Sequence, residues 1–571
     1  MTEWKYAAEQ QGNAPFLRII TGGRDGAVHF WSDKWGKVGQ IVTPNHAPVS
    51  SLSVRGDGKH LLIGTQASEI YNISIWPIRN DSVEQDDKLS NDWYESWKFS
   101  AKREQKDMSP LGAPLISGHH KDELWGLAPH PLKREYCTVG DDATLRLWDV
   151  VRRRQCSPSV RLPCMARACA YYPNPDNTFG DDEDFVAVGL GGSVGRGRHK
   201  KDGCLRVYKF CRNQGTGQHS LYTCKEKEFE ERHDAHEWIS DIKFTPNGKW
   251  LAAGSHDNKI YLYSVDISDR TKLTLTKRKV FAKHSSYITH LDFSLDSRYM
   301  QSNCGAYELL FCDVPTGRQI TSATDVKDVV WDTWSCVLGW PVQGIWPPCA
   351  DGTDINAVAR TNSNTLVATA DDFGKVKLFR YPCVEKGSGC LEYRGHSSHV
   401  TNMRWTAFDE CLISTGGNDR SIFQWRHEIL ERDERQDLGT DDEAMLGDEA
   451  NNDQLDALLT YDTRQNETSS EDFMQRPWIG TLQQPKVVPT QVSGIPKIGL
   501  RLDWVYGYNS QDTRNNLFYT CDFAKNAIVY HAAAIGIIQN NVFSADMNVS
   551  VAGFGDAASA RCKFTQVKMV E

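Results

Sequence analysis

A repeated pattern along the chain constrains its fold more than any other feature of the sequence. Each copy has a His, a short apolar run, a turn, an Ala/Gly/Ser-rich run, an Asp in a tight turn, and a last run that ends in an aromatic residue. A late copy runs from Gly395 to Trp425, and an earlier one runs from Gly118 to Asp149. Such spacings suit a period of about 40–45 residues with loop insertions. Eight closing strands are predicted, near Trp31, Ile73, Trp148, Tyr208, Tyr263, Phe311, Phe379 and Trp425.

The repeat predicts an all-β chain. A four-stranded unit of this size cannot bury both faces of its sheet alone, whereas stacking such units around an axis covers the faces and leaves only short edges. We therefore predict a WD-repeat β-propeller of six to eight blades over residues 118–426, with six recognisable blades. Trp331 to Trp346 are expected to form an irregular seventh blade or a belt strand. Residues 1–80 are predicted as two more blades, which either close an incomplete neighbouring propeller or extend the main one to eight; 81–117 is a connector.

The net charge of −9 conceals two very different parts. Between Glu428 and Asp472 there are 16 acidic residues, three Arg and no Lys, a local charge of −13. The rest of the chain therefore carries a charge of +4. We expect 427–475 to be a disordered acidic linker, because it has many charges and no hydrophobic periodicity. The mildly basic body is compatible with an acidic partner surface.

The sequence also excludes several classes of protein. No apolar run reaches the length of a membrane-spanning helix, and the first residues lack the pattern of a signal peptide. The 16 Cys contain no CxxC pair, which favours reduced thiols. We therefore expect a soluble cytoplasmic protein with no membrane partner. No metal site is expected, because no His/Cys group has ligand spacing, and no cofactor or nucleic-acid partner is expected either.

The recurring His, Ser/Thr and Asp invite comparison with a catalytic triad. A triad would occur once, whereas this set recurs from blade to blade. In WD repeats such residues form a buried hydrogen-bond chain, and buried polar groups need partners. We therefore predict no catalytic residues and assign a structural network, which comprises His119, Asp141, Trp148, His396, Ser414, Asp419 and Trp425.

One glycine-rich loop at 189–202 carries two candidate functions. It lacks the third Gly of GxGxxG and the Lys-Ser/Thr of a P-loop, so nucleotide binding is not expected. Its basic part is either a solvated loop or an electrostatic contact with an acidic filament. The candidate residues of that contact are Arg196, Arg198, Lys200 and Lys201.

An ordered set of phrases is more specific than a generic propeller. It comprises GHHKDELWGLAPHP (118–131), GSHDNKIY (254–261), HSSYITH (284–290), VQGIW (342–346), GTDINA (352–357), DDFGKV (371–376) and GHSSHVTN (395–402). The set resembles the second propeller of the echinoderm microtubule-associated protein-like (EMAP-like) family. IITGGRDG (19–26) and LLIGT (61–65) resemble the last two blades of that family's first propeller.

A C-terminal segment at 476–540 resembles the family's HELP motif. It contains RPWIG (476–480), LDWVYGY (502–508), RNNLFY (514–519) and VYHAAAIG (529–536). In the family this motif packs against the first propeller, and here it is expected either to pack as an extra strand pair or to dock on another chain. The packing residues are expected to be Trp504, Tyr506, Tyr508, Phe518 and Tyr519. Residues 541–571 are unassigned.

The resemblance implies a non-enzymatic, microtubule-associated structural protein that binds the α/β-tubulin lattice through propeller surfaces. The family's trimerising coiled coil is not expected, because no heptad run exists. Repeated propellers on one chain would then supply avidity, which suits ciliary or flagellar axonemal doublets. Other axonemal or EMAP-like chains are expected to complete the partial propeller. The alternative is a propeller adaptor that scaffolds a signalling or ubiquitin-type complex without touching tubulin; an enzyme is the least favoured reading.

Overall fold

The computed structural model describes most of the chain. The described residues are 2–5, 17–31, 35–56, 60–75, 111–180, 182–192, 200–213, 222–269, 272–346, 355–429, 477–488, 494–520 and 527–539. The acidic linker from 430 onward and the tail 541–571 lie outside these ranges.

Strands dominate the described residues, as the sequence predicts. In chain order they are β1 (Thr2–Lys5), β2 (Leu17–Gly22), β3 (Ala27–Trp31), β4 (Lys37–Val42), β5 (Val49–Val54), β6 (His60–Thr65), β7 (Glu69–Ser74), β8 (Leu124–Pro129), β9 (Glu135–Gly140), β10 (Thr144–Asp149), β11 (Arg154–Gln155), β12 (Val160–Arg161), β13 (Ala166–Tyr171), β14 (Glu183–Leu190), β15 (Leu205–Arg212), β16 (Tyr222–Arg232), β17 (Ile239–Phe244), β18 (Trp250–Ser255), β19 (Ile260–Asp269), β20 (Lys272–Phe281), β21 (Ile288–Phe293), β22 (Tyr299–Cys304), β23 (Leu309–Asp313), β24 (Arg318–Ile320), β25 (Ile355–Arg360), β26 (Leu366–Asp371), β27 (Val376–Arg380), β28 (Leu391–Tyr393), β29 (Val400–Trp405), β30 (Cys411–Gly416), β31 (Ile422–Ile429), β32 (Ile498–Tyr506), β33 (Phe518–Thr520), β34 (Ala527–Ala532) and β35 (Ile535–Gln539). Short 3₁₀ helices occur at Pro44–His46, Ala323–Asp325, Trp340–Ile345 and Pro477–Thr481.

The chain divides into two compact units. We call residues 122–418 and 423–503 the propeller unit, and residues 1–121, 419–422 and 504–571 the flanking unit. The two predicted N-terminal blades belong to the flanking unit.

Six antiparallel sheets form the described part of the propeller unit, and we call them blades 1 to 6. They are β8–β12, β13–β16, β17–β20, β21–β24, β25–β28 and β29–β32. The second strand of a blade is covered on both faces by neighbouring blades, so its residues are apolar or small. In β26 and β30, for example, all six residues are buried.

The first strands of neighbouring blades lie side by side except between blades 4 and 5, and the first strand of blade 6 lies beside that of blade 1. The Thr401 hydroxyl of blade 6 donates to the Leu124 carbonyl of blade 1 at 2.6 Å. Between blades 4 and 5, the His290 Nε2 donates to the Asn356 carbonyl at 3.0 Å. These bonds close the ring of inner strands.

Blade 6 is completed by a strand from far along the chain. Its outermost strand is β32, which belongs to the HELP-like segment. Asp503 of β32 accepts from Arg153 at 2.6 Å and from the Gln424 amide at 2.7 Å. Within the propeller unit, this carboxylate therefore joins blade 1 and blade 6.

In its described residues, the segment between blades 4 and 5, where an irregular seventh blade or a belt strand is expected, forms no multi-stranded sheet. It carries one isolated bridge, Ser294 to Trp331, and the 3₁₀ helix Trp340–Ile345. Its aromatic and aliphatic side chains join a buried cluster. The Asp292 carboxylate accepts from the backbone N–H groups of Ser335 and Cys336 at 2.7 and 2.8 Å, which fixes the segment on blade 4.

The flanking unit contains three sheets in its described part. They are β1–β4, β5–β7 and β33–β35. Ile116, from the predicted connector, adds a bridge to Ile70 at the edge of β7. The core of the unit is aliphatic and includes Ile20, Val28 and Ile63.

Candidate functional site

The predicted blade network is clearest in blade 6. The Ser414 hydroxyl lies 2.9 Å from the His396 Nε2 and 2.9 Å from the Trp425 Nε1. All three residues are buried. The three side chains thus satisfy one another's hydrogen-bonding groups in the interior of the blade.

Other blades carry variants of the same arrangement. In blade 1 the Trp148 Nε1 donates to the Thr138 hydroxyl at 2.8 Å, and in blade 4 the His284 Nε2 lies 2.7 Å from the Ser302 hydroxyl. Burial lowers the pKa of His284. A neutral imidazole bonded to a hydroxyl in the interior is a structural element.

The remaining predicted network residues lie in three different surroundings. His119 is buried in the flanking unit. Asp141 accepts from Arg167 at 3.3 Å, and burial raises its pKa to about 6. Asp419 accepts from the backbone N–H and the hydroxyl of Ser421 at 3.0 and 2.8 Å, as expected for an Asp in a tight turn.

Of the candidate basic loop, Arg196 and Arg198 lie outside the described residues. Lys200 is exposed. Lys201 is paired with Glu231, which also binds Arg206 and His233. Burial would raise the pKa of Glu231, but hydrogen bonds from Lys201 and His233 and the charge of Arg206 outweigh it and lower the pKa to about 2. Lys201 is thus held within blade 2.

A basic strand that sequence reasoning missed lies in the neighbouring blade. β20, the outer strand of blade 3, contains four cations and no acidic residue: Lys272, Lys277, Arg278 and Lys279. Residues 276–280 are exposed along their whole length. Lys277 pairs with Asp234 at 2.6 Å, and the Arg278 guanidinium donates to the Ser264 hydroxyl at 2.9 Å. The consecutive Lys-Arg-Lys in the sequence was the signal that could have identified this strand.

Blades 2 and 3 are joined next to these cations. The Arg232 guanidinium of β16 donates to the Leu275 carbonyl of β20. Lys272 of β20 lies 3.9 Å from Glu230 of β16. At this junction Glu230 pairs with both Arg232 and Lys272.

Among the residues that the structure describes, two clusters have the composition of a metal site. One comprises Cys204, Glu231 and His233, and the other comprises His284, Cys304 and Glu308. In the first, Lys201 and Arg206 already neutralise the carboxylate. In the second, Glu308 accepts from Ser285, His284 and the Cys304 thiol, and burial raises the pKa of that thiol to about 11. Hydrogen bonds account for both arrangements.

The HELP-like aromatic residues lie mostly in the flanking-unit interior. Tyr506 and Tyr508 are buried, and Trp504 is partly buried, with its ring 6.5 Å from that of Tyr506. The Tyr519 hydroxyl bonds to Asn72 at 2.8 Å, whereas Phe518 is half exposed.

Tyr508 sits on the N-terminal strands of this same chain. Its hydroxyl lies 2.9 Å from that of Ser50, and its backbone N–H donates to the Ser68 hydroxyl at 3.0 Å. A Cβ on Gly64 would lie only 2.5 Å from the Tyr508 hydroxyl, so the absent side chain at this position makes room for it.

In the described part of the chain, no helix is long and apolar enough to span a membrane.

Comparisons with known proteins identify two family models in this chain. The family model for the second β-propeller of echinoderm microtubule-associated proteins matches residues 124–427, and the model of the HELP motif matches residues 495–537. Both predicted resemblances are confirmed.

Several curated relatives match over most of this chain. Echinoderm microtubule-associated protein-like 2 of Rattus norvegicus is 35% identical over 411 residues, which cover 72% of this chain and 52% of the relative. Echinoderm microtubule-associated protein-like 1 of Homo sapiens is 34% identical over 410 residues, 72% of this chain and 42% of the relative. The 77 kDa echinoderm microtubule-associated protein of Lytechinus variegatus is 33% identical over 420 residues, which cover 71% of this chain and 57% of the relative. The chain spans about half the length of the curated relatives it matches. On these matches, the chain belongs to the echinoderm microtubule-associated protein-like family.

Proposed function

We propose that this chain is a non-enzymatic, microtubule-associated structural protein that binds the tubulin lattice through the basic edge of its propeller unit. The observation that carries the proposal is strand β20, which exposes Lys277, Arg278 and Lys279 without an acidic residue in the strand. The names of the relatives, which are microtubule-associated proteins, support the same partner.

Electrostatics gives this edge its proposed role. Clustered cations raise the rate of association with an acidic surface, and salt weakens the attraction between exposed charges. The exposed Lys200 and the Glu231-paired Lys201 of blade 2 are proposed as further contacts, together with Arg196 and Arg198. Lysines on an outer strand also discourage edge-to-edge aggregation, so a binding measurement is needed to separate the two roles.

A ciliary or flagellar axoneme is the proposed location within the cytoskeleton. The described chain carries propeller-type sheets in two compact units, and repeated binding elements on one chain gain avidity when a lattice presents regularly spaced sites. In the described residues β35 is an outermost strand of its sheet, and such an edge can pair with another strand. We therefore propose axonemal or EMAP-like chains as additional partners.

Cosedimentation tests this function directly. The full chain is pelleted with taxane-stabilised microtubules over a salt series, in parallel with microtubules whose acidic tubulin tails have been removed by limited proteolysis. We expect binding that decreases as salt rises and that weakens on the trimmed microtubules. If the chain stays in the supernatant at low salt with both microtubules and isolated axonemal doublets, the adaptor alternative replaces this proposal.

A further inference from the structure

A cleft on the propeller unit contains a buried carboxylate that the proposed filament contact does not use. The cleft has a volume of about 380 Å³ and lies between the turn that follows β8 and the loop that precedes β14. Its lining includes Lys133, Glu135, Tyr172, Phe179 and Asp184. Clefts of about 300–1,000 Å³ with a few converging polar groups commonly bind ligands.

Most polar groups of the cleft are matched with partners. The Lys133 ammonium donates to both carboxylate oxygens of Asp184, at 3.0 and 2.8 Å, and to the Tyr222 hydroxyl at 3.1 Å. The His130 Nδ1 accepts from the backbone N–H groups of Leu132 and Lys133, so its Nε2 carries the proton and donates to Asp184 at 3.0 Å. Glu183 pairs with Lys209 at 2.9 Å.

Glu135 is the exception. It is only 7% exposed, and its Oε2 accepts no hydrogen bond from the described part of the chain. Its Oε1 receives one long bond, 3.4 Å, from the Tyr222 hydroxyl. A buried oxygen without a donor has given up its hydrogen bonds to water without replacement, which is unfavourable. The site therefore favours an occupant that brings N–H groups.

The surroundings indicate what carries those N–H groups. Tyr172 and Phe179 supply aromatic surface beside the carboxylate, on which an aliphatic stem can pack while its charged end reaches the acceptor. At the rim, Leu132 is 65% exposed. The Arg134 guanidinium lies over the exposed ring of Phe408 at 5.6 Å and pairs with Glu410. Apolar side chains beside a polar cleft are typical of a protein interface.

We propose that this cleft binds a lysine or arginine side chain of a partner protein, with the Glu135 carboxylate as the acceptor of its N–H groups. Charge complementarity selects a cation: Lys133 is matched by Asp184 and Lys209 by Glu183, so Glu135 is the carboxylate left without an ion pair. Arg212 also lines the cleft, but it is exposed to solvent. The partner segment places an apolar residue beside its basic one, against Leu132. This site does not depend on the basic edge at β20.

A displayed library of random heptapeptides tests the proposal. The full chain is immobilised, and bound peptides are sequenced and compared with the starting library. We expect enrichment of Lys or Arg at one fixed position, with an apolar neighbour, and loss of that enrichment with Glu135→Gln. The matched control is Glu183→Gln, which removes a carboxylate of the same cleft and is expected to retain the enrichment. Thermal unfolding of both variants confirms that they fold.

A single selected peptide then gives the affinity. By fluorescence anisotropy, we expect Glu135→Gln to weaken binding at least tenfold and replacement of the peptide's basic residue by norleucine to weaken it similarly. Enrichment of acidic peptides, no enrichment at all, or a basic preference that survives in Glu135→Gln would each overturn the assignment. Equal binding of free n-butylammonium and the peptide would replace the partner side chain by a small amine.

Discussion

The hydroxyl of Tyr508 lies 2.9 Å from the hydroxyl of Ser50, a residue 458 positions earlier in the chain. The same phenolic oxygen lies 3.2 Å from the Ser51 hydroxyl. The Ser68 hydroxyl donates to the Tyr508 backbone carbonyl at 2.9 Å. All four residues belong to the flanking unit. Tyr508 of the HELP-like segment thus packs on the N-terminal strands of its own chain.

Tyr508→Phe removes the hydroxyl from this buried group and leaves the ring. We expect the free energy of unfolding of the flanking unit to fall by about 1–2 kcal/mol, because a buried hydrogen-bonding group loses its partner. Amide hydrogen exchange of β5 and β6 measures the loss.

Tyr519→Phe is the control for this substitution. Its hydroxyl bonds to Asn72 in a partly buried position, so the loss should be about 0.5–1 kcal/mol. Equal protection of β5 in wild type and Tyr508→Phe would show that the hydroxyl does not fix the segment.

Ser414→Ala tests the blade 6 network. The substitution leaves the His396 imidazole and the Trp425 indole N–H without their common partner in a fully buried site. We expect a loss of about 2 kcal/mol in the free energy of unfolding of the propeller unit. Ser388→Ala, at an exposed turn hydroxyl, should change it by less than about 0.5 kcal/mol. Denaturant unfolding followed by tryptophan fluorescence compares the two, and equal midpoints would contradict a structural role for Ser414.

The sequence predicted the all-β fold and the local pattern of the blades because both are short-range properties. A strand of blade 1, for example, was predicted to end near Trp148, and β10 ends at the next residue, although it is not the outermost strand because β11 and β12 pair beside it. The Ser414 network could also be predicted, since its residue types lie close together in the sequence of one blade and recur from blade to blade.

The completion of blade 6 could not be predicted in the same way. β32 follows the acidic linker, and its pattern as a strand does not encode which edge it joins. The cleft around Glu135 is also invisible in the sequence, because its residues come from two blades and acquire their importance only through burial. The resemblance to the HELP motif located the segment but not its strand pairing.

Asp503→Ala should loosen β32 from blade 6. Its carboxylate is 10% exposed and joins Arg153 to the Gln424 amide. Removing it leaves Arg153 and Gln424 without this acceptor, at a cost of about 2–3 kcal/mol. We expect faster limited proteolysis within 494–506.

Glu428→Ala removes the exposed partner of Arg501 on the same pair of strands. Exposed ion pairs contribute about 0–1 kcal/mol, so proteolysis of this control should match wild type. If Asp503→Ala resists the protease equally well, the buried carboxylate does not hold the strand.

Glu135 should make the stability of the propeller unit depend on pH. Burial raises its pKa from 4.5 to about 7, with Asp184 and Asp149 adding to the rise and Lys133 and the Tyr222 hydroxyl opposing it. Between pH 4.5 and 7 the folded state binds the proton more strongly than the unfolded chain does. The stabilisation of the folded state by protonated Glu135 is therefore fully present below pH 4.5, and it is lost as pH rises through 7.

The size of this effect is about 3 kcal/mol at its limit. Denaturant unfolding at pH 5 and pH 8 measures it, and Glu135→Gln should flatten the difference because the amide does not titrate. Glu183→Gln, which keeps the Glu135 carboxyl, should retain the slope. The same slope in Glu135→Gln would mean that another group is responsible.

Charge removal on β20 tests the proposed filament contact. Replacing Lys277, Arg278 and Lys279 by Ser removes three exposed cations from one strand, and we expect several-fold weaker cosedimentation with microtubules at low salt. The matched control replaces Arg152, Arg161 and Lys386 by Ser, which removes the same charge from exposed positions on blades 1 and 5. Because net charge changes equally, only a local contact distinguishes the two variants. Loss of binding in both variants would indicate that the overall charge of the body, rather than the edge at β20, drives association. Full binding in the β20 variant would place the filament contact elsewhere on the chain.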